Sequence, residues 1–429
     1  MNLHLPEQKV GYCQQVRTIP LPPQLIVPLR QHTGAPARAQ VAVGHRVLAG
    51  QLLGTHDAFI SAPVHAPASG TVTDIKPWPS FTGELIPSVV LQVDPDQQAM
   101  ALEGMDPDTA TVEDIRRMAR AAGVVGMGGA AFPTPVKLTV PDGKSVDTLL
   151  VNGCECEPFL SCDHQVMLDQ TRELVAGARL AMRAVSAQKC IFAIEANKPD
   201  AIAVLQKATS GTPGMSVSVL PSFYPHGAEK VLIRRVLGRK VPSGGLPSDV
   251  GALVHNVATL VALYEAVAQG RPLMERIITV AGRVPGPGNV RVLVGTPVGR
   301  VLEACGFAGK AARVVMGGPM MGWALSDLDT PVIKGTSGIL VLGPGDVAEL
   351  KGESCVRCAR CINVCPMGLM PMYVGQVVES GHPEHARKWS VEDCFECGSC
   401  AYVCPARRPL VYYSRQAKAA IREKPARGA

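Results

Sequence analysis

The sequence has few aromatic side chains, little charge and no long apolar run. Aromatic residues make up 4% of the 429 residues and charged residues 18%. Proteins that bind single-stranded nucleic acid stack bases on aromatic side chains, so we expect no nucleic-acid partner. The best apolar candidate, Val250–Ala268, is interrupted by His255, Asn256 and Glu265, and it predicts no simple membrane-spanning helix.

A secretory signal is also lacking at residues 1–10, and fourteen cysteines then favour a reducing cytoplasm over an oxidising compartment. The hydrophobic fraction of 47% is enough to build cores, and the length suggests several domains. The net charge of +6 is concentrated near the C-terminus, in Arg407, Arg408, Arg415, Lys418, Arg422, Lys424 and Arg427, against the single acid Glu423. Two interpretations are open: a solvated, frayed terminus, or a docking segment for anionic lipid or an acidic partner.

The strongest pattern is a doubled cysteine run with the spacing Cys-x-x-Cys-x-x-Cys-x-x-x-Cys-Pro, which is typical of two-cluster ferredoxins. Three closely spaced cysteines wrap one corner of an iron–sulfur cube, and the fourth reaches the other cube. The spacing therefore predicts cluster 1 on Cys355, Cys358, Cys361 and Cys404, and cluster 2 on Cys365, Cys394, Cys397 and Cys400.

Zinc and disulfides are the alternative interpretations of these eight thiols. Zinc accepts four thiolates at similar spacings, but it does not explain a doubled run with proline after each fourth cysteine. Disulfides require an oxidising compartment. We therefore expect two [4Fe–4S] clusters, which carry single electrons.

The first hundred residues predict β structure. Residues 1–30 are rich in proline and are interpreted as an extended lead-in, outside any domain. Residues 31–100 contain short β-like runs and look like the biotinyl/lipoyl-type barrel-sandwich fold. Carriers of that fold have a lysine at a hairpin tip, whereas this chain has Asp57–Ile60 there. We expect an unmodified structural module.

An alternation of helices and strands follows. Thr111 and Asp114 predict the start of a helix, and a glycine-rich loop with Gly126, Gly128, Gly129 and, further on, Lys137 could cradle a phosphate. Taken alone, such a loop is a weak signal. Short apolar strands at 148–151, 190–195 and 217–220 alternate with helices, which favours an α/β domain with a mostly parallel sheet.

An acidic loop, Asn152-Gly-Cys-Glu155-Cys-Glu157, follows the first of these strands, where open α/β sheets bind ligands. Cys154, Cys156, Cys162 and His164 could suggest a metal, but Cys-x-Cys is not a usual zinc spacing, so we favour reduced thiols. Cys13, Cys190 and Cys305 are isolated and are expected to serve in packing.

Taken in order, these motifs resemble the flavin- and NADH-binding subunit of respiratory complex I, with its patterns Gly-x-Gly-Gly-Ala-x-Phe-Pro-Thr-x-x-Lys, Asn-x-Asp-Glu-Ser-Glu-Pro, Tyr-x-x-Gly-Glu-Glu and Asn-Asn-Val-Glu-Thr. Over about residues 20–410 the chain resembles the C subunits of Rnf (Rsx) electron-transport complexes, which add a barrel-sandwich module in front and two clusters behind. Cys154, Cys156, Ala228, His255 and Ala258 depart from the complex I patterns. Ala228 stands where the complex I pattern has an acid, and the loss of this acid is expected to weaken or reshape NADH binding more than flavin binding.

The resemblance implies roles for individual positions. Gly126, Gly128, Gly129 and Lys137 would line the FMN phosphate and ribityl chain, Asn152, Glu155 and Glu157 would bind flavin and nicotinamide, Tyr224, Gly227 and Glu229 would continue that pocket, Asn256 and Thr259 would hold the phosphate side, and Phe132 would stack on the nicotinamide nucleotide. Among these, Glu155, Glu157 and Glu229 are the candidate catalytic residues.

The predicted fold is a multidomain α/β plus β protein. Its expected parts are a lead-in (1–30), a barrel-sandwich hybrid (31–100), a Rossmann-like α/β FMN/NADH domain (101–272), a β-grasp, SLBB-like domain (273–345), a two-cluster ferredoxin-like domain (346–412) and a basic tail (413–429). We expect the β-grasp domain to be a spacer without a ligand, and the turn Gly317–Gly322 to face another domain.

The resemblance implies an NADH-oxidising subunit of a membrane ion-translocating NADH:ferredoxin oxidoreductase. The flavin would divide electron pairs for the clusters, and other membrane and iron–sulfur subunits would carry the electrons on, reaching ferredoxin indirectly. The expected location is peripheral, on the cytoplasmic face of the inner membrane. Two alternatives remain: a soluble flavin/iron–sulfur cobalamin reductase, and a flavin-free iron–sulfur adaptor.

Overall fold

The computed structural model describes residues 3–9, 15–347 and 352–423. Cys13, Lys424 and Arg427, about which expectations were stated above, lie outside these ranges. Four layered parts follow one another along the chain, as the predicted fold class requires, and this class is confirmed.

The N-terminal part is made of short strands. They are β1 (Arg17–Thr18), β2 (Gln24–Pro28), β3 (Arg38–Ala39), β4 (Arg46–Val47), β5 (Leu52–Thr55), β6 (Val64–His65), β7 (Gly70–Pro79) and β8 (Leu85–Val93). Two small sheets, ordered β2-β8-β7-β4 and β3-β5-β6, enclose an apolar core that includes Leu25, Leu53 and Leu91. The tip between β5 and β6 carries no lysine, and Arg120 Nη2 anchors it by donating to the Phe59 carbonyl at 3.1 Å.

The lead-in interpretation of residues 1–30 is wrong, because this segment supplies strands to two different sheets. Strand β2 pairs with β8, and its Leu25, Ile26 and Val27 are buried. Strand β1 pairs with a strand of the β-grasp domain 273 residues away in sequence, Arg17 opposite Val290. Pro22 and Pro23 before β2 and Pro28 at its end gave the segment an extended appearance, and the buried run Leu25–Val27 is too short to predict a strand by itself.

The central part is an α/β domain. Its elements are α1 (Val112–Ala121), α2 (Thr134–Lys137), β9 (Thr148–Gly153), α3 (Cys162–Asp169), α4 (Thr171–Val185), β10 (Lys189–Glu195), α5 (Pro199–Thr209), β11 (Met215–Leu220), α6 (Glu229–Leu237), a 3-10 turn (Pro247–Val250), β12 (Ala252–Asn256) and α7 (Val257–Gln269). The four strands are all parallel in the order β11-β10-β9-β12. Thr111 and Asp114 form the predicted capping box at α1.

The β-grasp part contains β13 (Glu275–Gly282), β14 (Gly288–Leu293), α8 (Val298–Ala304), β15 (Arg313–Met316), β16 (Trp323–Ala324), β17 (Gly338–Leu342) and a 3-10 turn (Pro344–Asp346). Its sheet has the order β1-β14-β13-β17-β15-β16 and packs on α8 through valine and isoleucine side chains. The strand β17 was not predicted, although the run Gly338–Leu342 is apolar and buried at four of its five positions.

The C-terminal part contains α9 (Arg360–Val364), α10 (Pro371–Glu379), 3-10 turns at Pro383–Trp389 and Val391–Asp393, α11 (Ser399–Tyr402) and α12 (Leu410–Glu423). The frayed-terminus interpretation is wrong as far as residue 423, because α12 buries Leu410, Ala417 and Ile421. The expected boundary between residues 412 and 413 therefore falls inside a helix. Among the described residues, no helix combines the length and apolar character that crossing a bilayer requires.

Candidate functional site

The glycine-rich loop joins α1 to α2 and exposes backbone at its tip. Gly128 and Gly129 are exposed, and Gly129 has a φ of +100°, in the region that favours glycine. The loop closes through the Gly126 amide, which donates to the Phe132 carbonyl at 2.8 Å. Its rear is held by Thr259, whose Oγ1 accepts from the Met127 amide at 2.9 Å. The loop is thus held by hydrogen bonds at Gly126 and Met127 and is open to solvent at Gly128 and Gly129.

Lys137 ends α2, the short helix that follows this loop, and its side chain has two partners. Its ammonium donates to Glu229 Oε2 at 2.6 Å and to the Val254 carbonyl at 2.7 Å. An ammonium group has three N–H donors, so one remains for an anionic ligand. Glu229 is the first residue of α6. The acid of the Tyr224–Glu229 motif therefore pairs with Lys137, the residue predicted to bind phosphate.

The acidic loop begins at the carboxyl end of β9, which is an inner strand of the parallel sheet. Asn152 Nδ2 donates to the Gly227 carbonyl at 2.8 Å, which ties this loop to the Tyr224–Glu229 segment. Glu155 has a φ of +46°, a left-handed backbone that costs roughly 1–3 kcal/mol for a residue with a side chain. Its carboxylate accepts the Asp163 and His164 amides at 2.8 and 3.1 Å, at the start of α3.

Asn256 and Thr259 lie at the start of α7, close to both loops. Asn256 caps this helix by accepting from the Ala258 and Thr259 amides, and its Nδ2 donates to Asp163 Oδ2 at 2.6 Å. Burial, followed by the negative charge of Glu155, raises the pKa of Asp163. The residues predicted to hold the FMN phosphate therefore belong to a hydrogen-bond network that includes the acid Asp163.

Glu157 connects three domains. Its carboxylate accepts the Met320 and Met321 amides at 3.0 and 2.8 Å, and both belong to the β-grasp turn Gly317–Gly322. The Tyr224 hydroxyl lies 3.5 Å from Glu157 Oε1 and donates to the Cys397 carbonyl at 2.6 Å. Burial raises the pKa of Glu157 to about 7, although the two amides oppose the shift. The β-grasp domain is thus a wall of the site and not merely a spacer.

A segment from the N-terminus holds the acidic loop from its other side. Lys9 Nζ donates to the carbonyls of Glu155 and Glu157 at 2.6 and 2.8 Å. The Glu7 carbonyl accepts from the Phe159 amide and the Leu3 carbonyl from the Tyr224 amide, both at 2.9 Å. We call Leu3–Lys9 the N-terminal strap.

The described residues do not gather Cys154, Cys156, Cys162 and His164 around one point. Cys154 Sγ faces the Ala193 carbonyl at 3.7 Å, and His164 Nε2 lies 2.7 Å from Asp200. Burial raises the pKa of the Cys154, Cys156 and Cys162 thiols, so they stay protonated at neutral pH. Glu155, Cys162 and Asp163 come close enough to share an ion, but both acids already accept hydrogen bonds from protein donors.

The eight cysteines of the doubled run line two separate cavities, four cysteines in each. The first is lined by Cys355, Cys358, Cys361 and Cys404, and the second by Cys365, Cys394, Cys397 and Cys400. Each cavity therefore has three cysteines from one run and the fourth from the other, which is the predicted grouping.

Backbone amides face two of the cysteine sulfur atoms, and hydrogen bonds to sulfur help to set the reduction potential of an iron–sulfur cluster. The Leu369 amide lies 3.3 Å from Cys365 Sγ, and the Glu396 amide 3.4 Å from Cys394 Sγ. Arg415 and Lys418 of α12 pair with Glu396 at 2.7 and 2.8 Å, and the Arg415 guanidinium stacks on Trp323 at 4.0 Å. Part of the basic tail thus serves the interior of this module and is not available for docking.

Comparison with protein-family models gives four matches along the chain. The model described as "RnfC Barrel sandwich hybrid domain" matches residues 2–96, "Nuo51 FMN-binding domain" residues 119–265, "SLBB domain" residues 277–324 and "4Fe-4S dicluster domain" residues 349–405. Their order agrees with the four parts of the structure.

Whole-chain relatives decide the family. The C subunit of the proton-translocating ferredoxin:NAD(+) oxidoreductase complex of Clostridium ljungdahlii is 42% identical over 95% of this chain and 90% of its own length. The chain belongs to the RnfC family. The C subunit of the Na(+)-translocating complex of Acetobacterium woodii is 40% identical over 93% of this chain and 91% of its own. The C subunit of the ion-translocating oxidoreductase complex of Rhodobacter capsulatus is 39% identical over 96% and 81%. This RnfC-family protein is thus built for a multi-subunit complex and has an FMN-binding domain and a dicluster domain.

The structure brings the sequence-predicted residues of this RnfC-family protein into two neighbourhoods. Asn256 and Thr259 contact the glycine loop, and Lys137 pairs with Glu229. Asn152 and Gly227 are hydrogen-bonded to each other, and Tyr224 links Glu157 to the second-run cysteine loop at Cys397. Glu155 lies between these residues in the acidic loop. Phe132 is half-buried, and its predicted stacking on the nicotinamide nucleotide stays a prediction.

Several contributors were missed by the sequence analysis. Arg276 of β13 is buried behind the glycine loop, and its Nη2 lies 3.4 Å from the Met127 carbonyl. Lys9, Asp163, Met320 and Met321 also touch the site. Met320 and Met321 act through backbone amides, which leave no signal in a sequence. Lys9 lies 146 residues from its first partner.

Proposed function

We propose that this RnfC-family protein exchanges electron pairs with NADH at a bound FMN and passes them singly through two [4Fe–4S] clusters to other subunits of an ion-translocating ferredoxin:NAD+ oxidoreductase. The observation that carries the proposal is the Glu157–Tyr224–Cys397 chain of contacts. One tyrosine hydroxyl contacts both the acidic loop of the FMN-binding domain and a cysteine of the second cavity.

The residues present fit the groups that this function needs. For FMN, the chain offers an open glycine loop with exposed amides, the third N–H of Lys137 and the amide side chain of Asn152. For the clusters, it offers four thiols around each cavity and amide donors toward sulfur. When bound, FMN supplies the conversion between hydride transfer and single-electron transfer.

The protein's own part is binding, orientation and proton management. Lys137 and the glycine loop would neutralise and hold the phosphate, while Glu155 and Glu157 would face the ring system and the nicotinamide. Glu157, with a pKa raised to about 7 by burial, can hold or release a proton near neutral pH at its Oε1, beside the Tyr224 hydroxyl. We also propose the domain division given above, with β1 and β2 assigned to the sheets they join.

For partners, we propose the membrane and iron–sulfur subunits of the complex, with ferredoxin reached indirectly, and a peripheral position on the cytoplasmic face of the inner membrane. The match to an FMN-binding domain favours this function over a flavin-free adaptor. The RnfC relatives favour it over a stand-alone cobalamin reductase.

The test uses full-length protein reconstituted without oxygen. We expect about one flavin per chain and bleaching of its absorbance by NADH but not by buffer. Co-sedimentation with membranes that contain the other subunits separates the complex from a stand-alone enzyme. Bound flavin that NADH does not bleach would refute NADH oxidation, and protein that stays in the supernatant would refute the membrane-complex assignment.

A further inference from the structure

The two cysteine cavities have different surroundings. The second-run loop rests on the rest of the protein: Tyr224 binds the Cys397 carbonyl, Lys230 pairs with Asp393 at 3.3 Å, and a Cβ added to Gly398 would come within 2.8 Å of the Met320 carbonyl. Cluster 2 therefore lies on the inner side, next to the proposed FMN site.

The first-run loop faces outward. Cys358 is exposed, in contrast to the other seven cysteines of the doubled run, and Val356 beside it is 65% exposed. Both residues line the first cavity. A redox group held there is separated from solvent by little protein, which is what transfer to a second protein requires.

Three exposed arginines belong to the segments that line this opening. Arg357, Arg360 and Arg407 are exposed, and none forms an ion pair with an acid in the described part of the chain. Arg360 lines the cavity, whereas Arg357 and Arg407 each lie between two of its lining residues. The exposed acid of the first-run loop is Glu353, so positive charge is in excess. We call Arg357, Arg360 and Arg407 the arginine rim.

We propose that electrons pass between this protein and its redox partner at cluster 1, and that the arginine rim docks the acidic face of an iron–sulfur carrier protein. This inference rests on the proposed function, because it assumes that cluster 2 exchanges electrons with FMN. The transfer moves one electron, so one centre is oxidised and the other reduced by one electron, and no proton or group moves. Opposite charges raise association rates by roughly 10- to 1,000-fold at low salt.

The test measures transfer without NADH, so that it stands apart from the proposed function. Full-length reconstituted protein is reduced with dithionite, freed of reductant and mixed with an oxidised, acidic two-[4Fe–4S] ferredoxin as the probe. The second-order rate constant and the dissociation constant are measured as ionic strength rises. The variant is Arg357→Glu/Arg360→Glu, and the control is Arg38→Glu/Lys207→Glu, which makes the same charge change at exposed positions in other domains.

We expect the rim variant to lose at least about tenfold in rate and in affinity at low salt, with the difference shrinking at high salt because ions screen the charges. The control should stay within about twofold of the wild type. Iron content checks that the clusters are retained. Arg407→Glu, which lies outside the first-run loop, should give a smaller loss in the same direction.

Equal losses in the rim variant and the control would overturn the proposal, since net charge alone would then explain them. Vesicles of phosphatidylcholine with phosphatidylglycerol provide the second arm. If the rim variant loses vesicle binding but keeps ferredoxin binding, the rim is a lipid contact and the proposal is wrong. Failure of NADH to bleach the flavin leaves this assay unaffected, so the two failures are distinguishable.

Discussion

Replacing Lys9 with methionine should weaken FMN binding although Lys9 is expected to lie behind the pocket. Lys9 Nζ donates to the carbonyls of Glu155 and Glu157, and burial lowers its pKa. Glu155 has a left-handed backbone with a φ of +46°, which the chain does not adopt readily without support. The substitution keeps the length and apolar stem of the side chain but removes both hydrogen bonds.

The expected magnitude follows from these two contacts. A hydrogen bond to a charged group contributes about 1.5–3 kcal/mol, so two contribute about 3–6 kcal/mol before the gain from no longer burying an ammonium. After that gain is subtracted, we expect the native conformation of the acidic loop to lose roughly 2–4 kcal/mol of stabilisation. Since 1.4 kcal/mol corresponds to tenfold in an equilibrium constant, FMN affinity should fall by at least about tenfold.

The assay is titration of flavin-free protein with FMN, followed by fluorescence quenching, together with hydrogen exchange at residues 152–159. The matched control is Glu7→Gln in the same strap, because Glu7 is exposed and its contact to Phe159 uses the backbone. Lys9→Arg should restore part of the affinity, because a guanidinium can also donate to both carbonyls. FMN affinity within twofold of the wild type and unchanged exchange in Lys9→Met would refute the positioning role.

Three further predictions follow from other parts of the structure. Cys365→Ala should remove the cluster held mainly by the second run and Cys404→Ala the one held by the first, each lowering iron from about eight to about four per chain; spectra showing the opposite pairing would contradict the crossed arrangement. Lys334 Nζ is buried between the Pro63 and Gly123 carbonyls, and burial lowers its pKa from 10.5 to about 7. The unfolded state then binds more protons between these values, so this group makes stability rise with pH there; Lys334→Met should remove about 2 kcal/mol of that rise between about pH 7 and 8.5, measured by native-state hydrogen exchange at Gly123. Ile115→Ala should cost about 2–4 kcal/mol in thermal unfolding because Ile115 is fully buried, whereas Val204→Ala, at a 38% exposed site, should cost far less.

The position of the β-grasp domain changes how the site is understood. Its turn at Gly317–Gly322 donates two amides to Glu157 and contacts the second-run loop at Gly398, while Arg276 supports the glycine loop from behind. The acidic loop and the second-run cysteine loop therefore share one structural contact, the turn Gly317–Gly322. The β-grasp domain thus contributes to the geometry of the sites in both neighbouring domains.

The local features of this protein could be predicted from its sequence because each depends on short-range chemistry. Cysteine spacing fixes which thiols can share a cube, and the two cavities group them in that way. The apolar runs at β9, β10 and β11 predicted strands to within two residues, since buried parallel strands are continuously apolar. Side-chain capping at Thr111 and the start of α6 at Glu229 were equally readable.

Other features depended on the tertiary structure. Helix α3 was not predicted because Cys162, His164, Gln165, Val166 and Met167 are all buried, so it has no one-sided apolar pattern. Strands β1 and β2 are recognisable only beside their distant partners, and the basic residues of α12 look like a solvated tail until Glu396 and Trp323 lie next to them.

The sequence by itself determined the chemistry that this chain can hold, since ligand type, spacing and turn residues are local properties. Only the tertiary structure decided how the parts face one another: Lys9 on the acidic loop, the β-grasp amides on Glu157, the second-run cysteine loop against Tyr224, and Cys358 of the first run at the surface. The physical reason is that these contacts join residues far apart in the chain, often through backbone groups that every residue possesses. Residue types and their spacing therefore do not predict such contacts.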